Sequence, residues 1–191
     1  MKARLRPKYL TTWDVYPVGA VSGPVSELTK WRHRARVVEA MALITAATTV
    51  RRLLPMPRWS RLLGESKTVR AVFDTPGDAS RFPFAQSPGD RTIARAIRSA
   101  GSRMPYDPRC LDRATAGQLM LRRRRRSGVV VIGLAPGGHS DEKWGAHAWL
   151  VGASGVLTGG AEARSFTAAS CFVPPDVRTP LPTPPARIGE S

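Results

Sequence analysis

Cysteine is scarce in this sequence: Cys110 and Cys171 are its only two, too few for a disulfide scaffold. Long apolar runs are missing as well. The nearest approach, residues 37–50, contains Glu39 and falls short of the roughly 20 residues that a membrane-spanning helix requires. The opening stretch, MKARLRPKYLTTWDVYP, has no apolar core of the kind a secretory signal carries. The expectation is a soluble cytoplasmic chain. Metal and cofactor signals are also lacking. No ligand spacing links the loop residue His139 to the cysteines, and Gly137-Gly138 and Gly159-Gly160 read as turn glycines rather than phosphate loops. No metal and no cofactor are expected.

Acidic residues are few: 14 Asp plus Glu stand against 30 Lys plus Arg, leaving a net charge of +16. Such an excess raises the question of nucleic acid, since clustered arginines release phosphate counterions. The distribution argues against it. The one dense block, residues 122–126, has no interleaved aromatics to stack bases on. It reads instead as the solvated last turns of a helix or as a peptide-docking surface, about 18 to 24 Å from Cys110 at 1.5 Å per residue. Neither a nucleic acid nor a membrane is expected as partner.

What the chain does have is core material. With 42% hydrophobic residues over 191 positions, it suits one domain, with or without a small helical appendage. Gly and Pro number 17 each without a period, which excludes collagen-like and solenoid folds and calls for several long loops.

Four segments follow from the patterning. Residues 1–25 read as a flexible arm, 26–104 as a helical region, 105–175 as an α+β core and 176–191 as a disordered Pro-rich tail. In the helical region Ser26 is the expected N-cap of a helix stopped by Pro55. Its apolar positions are Leu28, Trp31, Val37, Val38, Met41, Ile44 and Leu53. A short helix is expected near 59–63, a loop over 74–90, and a helix over 91–104 capped by Asp90. Pro105 and Pro108 then lead into a helix over 110–126. The β-branched run 129–134 reads as a buried strand, 136–143 as a loop tip, 146–151 as a second strand and 155–157 as the start of a third.

One arrangement in the core carries chemistry. Cys110 stands at a helix start, where about half a positive charge favours thiolate over thiol, and His147 lies on a following strand. An imidazole beside such a thiolate can hold the ion pair and deliver a proton to a leaving amine. The plainer alternatives are a buried cysteine and a satisfied core histidine, and spacing alone does not choose between them. Trp144 and Trp149 flank the histidine as shields or as core, and Cys171 reads as structural.

The surrounding residues add more. Cys110-Leu111-Asp112-Arg113-Ala114 opens the helix, and Ala146-His147-Ala148-Trp149 follows the strand. In that order they resemble the leader peptidases of lasso peptide biosynthesis, a transglutaminase-like cysteine protease family. Their Cys-Leu-x-Arg-Ala and Ala-His-Ala-Trp segments match over residues 31–175, most closely over 104–160. The resemblance implies a transglutaminase/papain-like core with an N-terminal helical part, Cys110 as nucleophile and His147 as general base and acid. It also implies a precursor peptide as substrate, bound through its leader, and a later ATP-dependent lasso cyclase. The 30-odd residues ahead of the match are too few for a fused recognition domain, so a separate small leader-recognition protein is the expected partner. The family's usual Asp twelve residues after the histidine is Gly159 here, and its frequent Glu four residues after is Val151. Glu162 is the nearest downstream carboxylate and the candidate third member; Asp141 lies in a loop on the other side of His147. Thr158 or a backbone carbonyl are the alternatives for orienting the imidazole. Acyl transfer by the same pair, or a basic non-catalytic binding protein, are the competing functions.

Overall fold

The computed structural model describes residues 27–73, 82–136 and 144–175. The arm 1–25, the Ser26 cap, the loop tip with His139 and Asp141, and the tail 176–191 lie outside the described residues.

The first helix, α1 (Glu27–Leu53), buries Val37, Ala40, Ile44 and Thr48, a three-to-four spacing that packs one face against α4 and α5. Leu28, Trp31, Val38 and Leu53 are exposed, contrary to the apolar pattern read from the sequence. Adjacent positions such as Val37 and Val38 diverge by roughly 100° around a helix axis, so they cannot share the buried face. A short helix α2 (Met56–Trp59) and a 3-10 turn (Ser60–Leu62) follow, and Pro55 precedes them as expected.

Helix α4 (Pro88–Gly101) starts three residues earlier than the expected 91. Ser87, not Asp90, caps it: its Oγ accepts from the Asp90 N–H at 3.2 Å, and Pro88 occupies the first turn. Asp90 is instead a fully buried carboxylate. It accepts from Arg126 at 2.9 Å and from the Ser154 hydroxyl at 2.6 Å. Nor is all of 74–90 irregular. Ala85 N–H donates to Val156 O, and Val156 N–H to Pro83 O, each at 2.9 Å, so this segment lies as a parallel bridge beside β4.

Helix α5 (Cys110–Arg122) stops short of the expected 126. Arg125 takes φ 53°, and Arg126 N–H bonds back to Leu121 O, which closes the helix. The arginine run is correspondingly not just a solvated end. Arg124 forks onto Glu39 of α1, Arg126 reaches buried Asp90, and Arg122 donates to Leu62 O. The Arg124 fork holds the Glu39 carboxyl below its ordinary value.

A five-stranded antiparallel sheet underlies the helices, in the order β1-β5-β2-β3-β4. The strands β2 (Gly128–Pro136), β3 (Trp144–Gly152) and β4 (Gly155–Thr158) contain those read from the sequence. The other two, β1 (Glu65–Thr68) and β5 (Thr167–Val173), were not anticipated; nor were the one-turn helices α3 (Val69–Val72) and α6 (Gly160–Ala163). Alternation splits the strands between two cores. Val130, Ala148 and Leu150 pack under α1, α4 and α5, while Val129, Val131, Trp149 and Val151 pack with Phe73, Phe82 and Ala163 on the other side. Buried Gln118 of α5 donates to Leu63 O at 3.1 Å and Phe172 O at 3.3 Å, tying the helix to β5 and the chain just before β1.

These ion pairs predict unequal consequences along the arginine run. Arg126→Gln leaves the Asp90 carboxylate buried without its cation and should lower unfolding stability by about 3 kcal/mol. Arg123, 66% exposed, should lose less than about 1 kcal/mol on the same change. Urea unfolding of the two variants measures the difference; equal losses would overturn it.

Candidate active site

Cys110 is the first residue of α5, where backbone N–H groups lack intrahelical acceptors. Arg109 precedes it in extended conformation, and the Arg109 N–H donates to the Asp112 carboxylate at 3.3 Å. That bond fixes where the helix begins, and Pro108 blocks its extension backwards. The helix packs against β3, which carries His147 opposite Gly133 of β2. The ring of His147 stacks near-parallel with Phe166, at 5.1 Å between centroids, and with buried Trp149, at 6.0 Å. Phe166 escaped the sequence reading, because nothing in the spacing 147–166 announces a contact. Trp149 is a packed core residue as well as a wall of the imidazole site. The side chain of Trp144 lies outside the described residues.

Cys110 and His147 line the same groove, and each acts on the protonation of the other. Burial alone pushes the Cys110 thiol up, but the bond from His147, its charge and the backbone N–H groups of Ala148 and Leu111 outweigh it. They bring the thiol below its ordinary value. Burial likewise depresses His147, and the bond and charge of Cys110, the Gly159 carbonyl and the Glu162 charge reverse it, raising the imidazole above its ordinary value. Opposed shifts of this kind favour a thiolate–imidazolium pair over neutral thiol and imidazole.

The acceptor that orients His147 is a backbone carbonyl. His147 Nε2 lies 2.9 Å from Gly159 O. Gly159 sits in the left-handed region at φ 72°, where it caps α6, and its carbonyl also accepts the Ala163 N–H at 3.1 Å. One carbonyl thus serves the imidazole and the first bond of α6. A Cβ at this position would come within 2.7 Å of Ala148 O and 2.9 Å of His147 Nε2. Glu162, the carboxylate singled out from the sequence, lies with Oε2 4.0 Å from His147 Nε2, close enough to act by charge but beyond hydrogen-bond reach. Thr158 lines the same groove and makes no bond to the ring, its Oγ1 being buried without a partner. Cys171 is fully buried in β5, and burial pushes its thiol up to about 12.

Cys110, His147 and Glu162 open onto a groove of about 610 Å³. Its lining includes the apolar side chains of Phe84, Ile97 and Leu157, the small residues Gly159, Gly160 and Ala161, and the charged side chains of Arg98, Arg113 and Asp107. Among the described residues no group of His, Cys, Asp and Glu is arranged to hold a metal ion, and no helix is long and apolar enough to cross a membrane.

A family model described as Transglut_core3, transglutaminase-like superfamily, matches residues 44–171. Comparison with curated proteins and with solved structures found no significant match.

The opposed shifts make the two cysteines separable. The thiolate of Cys110 persists until pH falls through its lowered value, so iodoacetamide should label Cys110 at about pH 7 and leave Cys171 untouched. In His147→Ala the burial remains and the compensating bond is gone, so the labelling profile should move to higher pH. Peptide mapping after a timed pulse reads both; labelling of Cys171 first, or an unmoved profile in His147→Ala, contradicts the pairing.

Proposed function

The chain belongs to the transglutaminase-like superfamily, and on that premise we propose that it is a cysteine peptidase that removes the leader from a ribosomally made lasso peptide precursor. The superfamily brings cysteine protease or acyltransferase chemistry. The observation that carries the reading is the Cys110–His147 pair at the start of α5, with His147 steadied by the Gly159 carbonyl, open to a groove. The sequence segments around both residues, which resemble the leader peptidases, supply the substrate class.

The steps follow from the geometry. His147 Nε2 is engaged by Gly159, so Nδ1 faces the sulfur. The Cys110 thiolate attacks the scissile carbonyl, and the N–H groups of the first turn of α5 receive the oxyanion. His147 passes its proton to the departing amine, which leaves as the freed core peptide. Water, deprotonated by the same imidazole, then attacks the thioester and releases the leader's carboxylate with the thiolate restored. A small recognition protein presents the leader, and an ATP-dependent cyclase consumes the freed amine in the reading that the resemblance supports. The second reading is transfer of the acyl group to an amine instead of water. Its support is the Glu162 Oε2 atom, buried in the groove without a hydrogen-bond partner and placed to receive an amine nucleophile.

Cys110→Ala should abolish leader release in a mixture of precursor and recognition protein followed by mass spectrometry. His147→Ala should lose at least about 10²-fold, and Cys171→Ala should retain full rate. Wild-type cleavage by Cys110→Ala removes the assignment. Gly159→Asp, which restores the family's usual residue type, should lower turnover rather than raise it. Its Cβ would collide with Ala148 O and the backbone there is left-handed. Glu162→Gln should leave hydrolysis within a few-fold of wild type, and a selective loss of product with added amines marks the transfer reading instead.

A further inference from the structure

Asp112 is a buried charge that the chemistry above does not use. It is 1% exposed and occupies the first turn of α5 with Cys110. Its carboxylate accepts from Arg51 Nε at 2.7 Å, Arg51 Nη2 at 3.1 Å, Thr48 Oγ1 at 3.0 Å and the Arg109 N–H at 3.3 Å. Two of the three residues involved, Thr48 and Arg51, sit on successive turns of α1, more than 55 positions away in sequence.

This arrangement sets up a conflict and resolves it. A carboxylate at the third position of a helix gains from the same positive end that stabilises a thiolate at the first. Two anions in one turn repel, and the buried one cannot be screened by solvent. Arg51 brings the missing cation. We propose that Arg51 is a positioning residue for Cys110, neutralising Asp112 through a two-toothed bond so that the first turn of α5 holds a thiolate in register with His147. The proposal rests on the reading of Cys110 as nucleophile.

The charges around the sulfur come from every neighbouring element: His147 on β3, Glu162 on α6, Arg98 on α4, Asp107 ahead of α5, Arg113 in α5 and Arg51 on α1. Asp107 and Arg113 pair with each other at 2.8 Å and largely cancel. Arg51, whose own charge is stabilised first by its bond to Asp112 and also by the Cys110 thiolate, is 19% exposed and held in place. Its charge acts on that thiolate in turn, beside the larger effects of His147 and of the Ala148 and Leu111 N–H groups. A lysine offers the charge without the fork, and a glutamine the hydrogen bond without the charge.

The test reads the thiol directly, from the pH dependence of iodoacetamide labelling of Cys110 in the full-length protein, with circular dichroism to confirm folding. Arg51→Gln should move the labelling midpoint up by about one pH unit, which is about tenfold less thiolate below it. Asp112→Asn should move the midpoint the other way, because it leaves Arg51 unbalanced near the sulfur. The double variant should return close to wild type. A merely structural contact would move both single variants in one direction, and that result, or two unmoved profiles, overturns the proposal. Should Arg51→Gln not fold, Asp112→Asn decides: its midpoint should fall, and an unmoved or raised midpoint overturns the proposal. Precursor cleavage adds a second readout: Arg51→Gln should lose kcat at about pH 7 with KM unchanged and recover as pH rises. If Cys110→Ala still cleaves the precursor, the peptidase reading has failed, while the labelling profiles still judge Arg51.

Discussion

The first turn of α5 is the constraint on which the remaining structure depends. A helix can present a cysteine at its positive end only if its start is fixed to within one residue. A slip of one position rotates the sulfur by roughly 100°. Three separate devices prevent that slip. Pro108 blocks extension backwards, the Asp112 carboxylate takes the Arg109 N–H, and α1 grips Asp112 through Thr48 and Arg51. At the far end Arg124 and Arg126 anchor the helix exit to Glu39 and Asp90. Helix α5 is thus clamped at both ends by charges from elements far away in sequence. Its midpoint is held by Gln118 and by the close approach of Gly117 to Leu150, where any Cβ would lie 2.5 Å from the methyl.

On the strand side the controlling choice is a carbonyl in place of a carboxylate. A carboxylate partner stabilises imidazolium by a full charge, a carbonyl by a dipole. The deficit is made up locally. The Cys110 bond and charge contribute most to holding the proton on His147, with the Gly159 carbonyl next and the Glu162 charge after it. Phe166 and Trp149 both stack on the ring and limit its freedom to rotate. The left-handed backbone of Gly159 aims the carbonyl, and only glycine adopts that conformation at low cost. Position 159 therefore orients the imidazole through its backbone.

How far the sequence revealed this depends on whether a feature is local. The helix start at Cys110 and the strand bearing His147 were legible because prolines, a β-branched run and turn glycines act on immediate neighbours. A backbone carbonyl was one of the open alternatives for the orienting group, but which one was not legible, since the sequence marks no donor or acceptor for backbone atoms. The central strand β5 was missed because Thr167–Val173 is rich in Ala and Ser and half exposed, and its place between β1 and β2 is set by long-range pairing. The short edge strand β1, exposed throughout, has no burial pattern to betray it. The end of α5 was misjudged for a related reason. A run of arginines looks solvated until the acids that pair with it, Glu39 and Asp90, are brought up from 85 and 36 residues away.

The same distinction bears on whether water or an amine resolves the acyl intermediate. Both outcomes use one thiolate and one imidazole, so the difference must lie in what else the groove offers. Hydrolysis needs only a water beside His147. Transfer needs a second binding place that lowers the cost of holding an amine and accepts its proton. Of the two carboxylates that line the groove among the described residues, Asp107 is 93% exposed at its side chain and already paired with Arg113. Glu162 alone stands near the ring, yet its side chain is 38% exposed and its charge is partly spent on His147. A single carboxylate shared in this way can receive an amine but does little to exclude water.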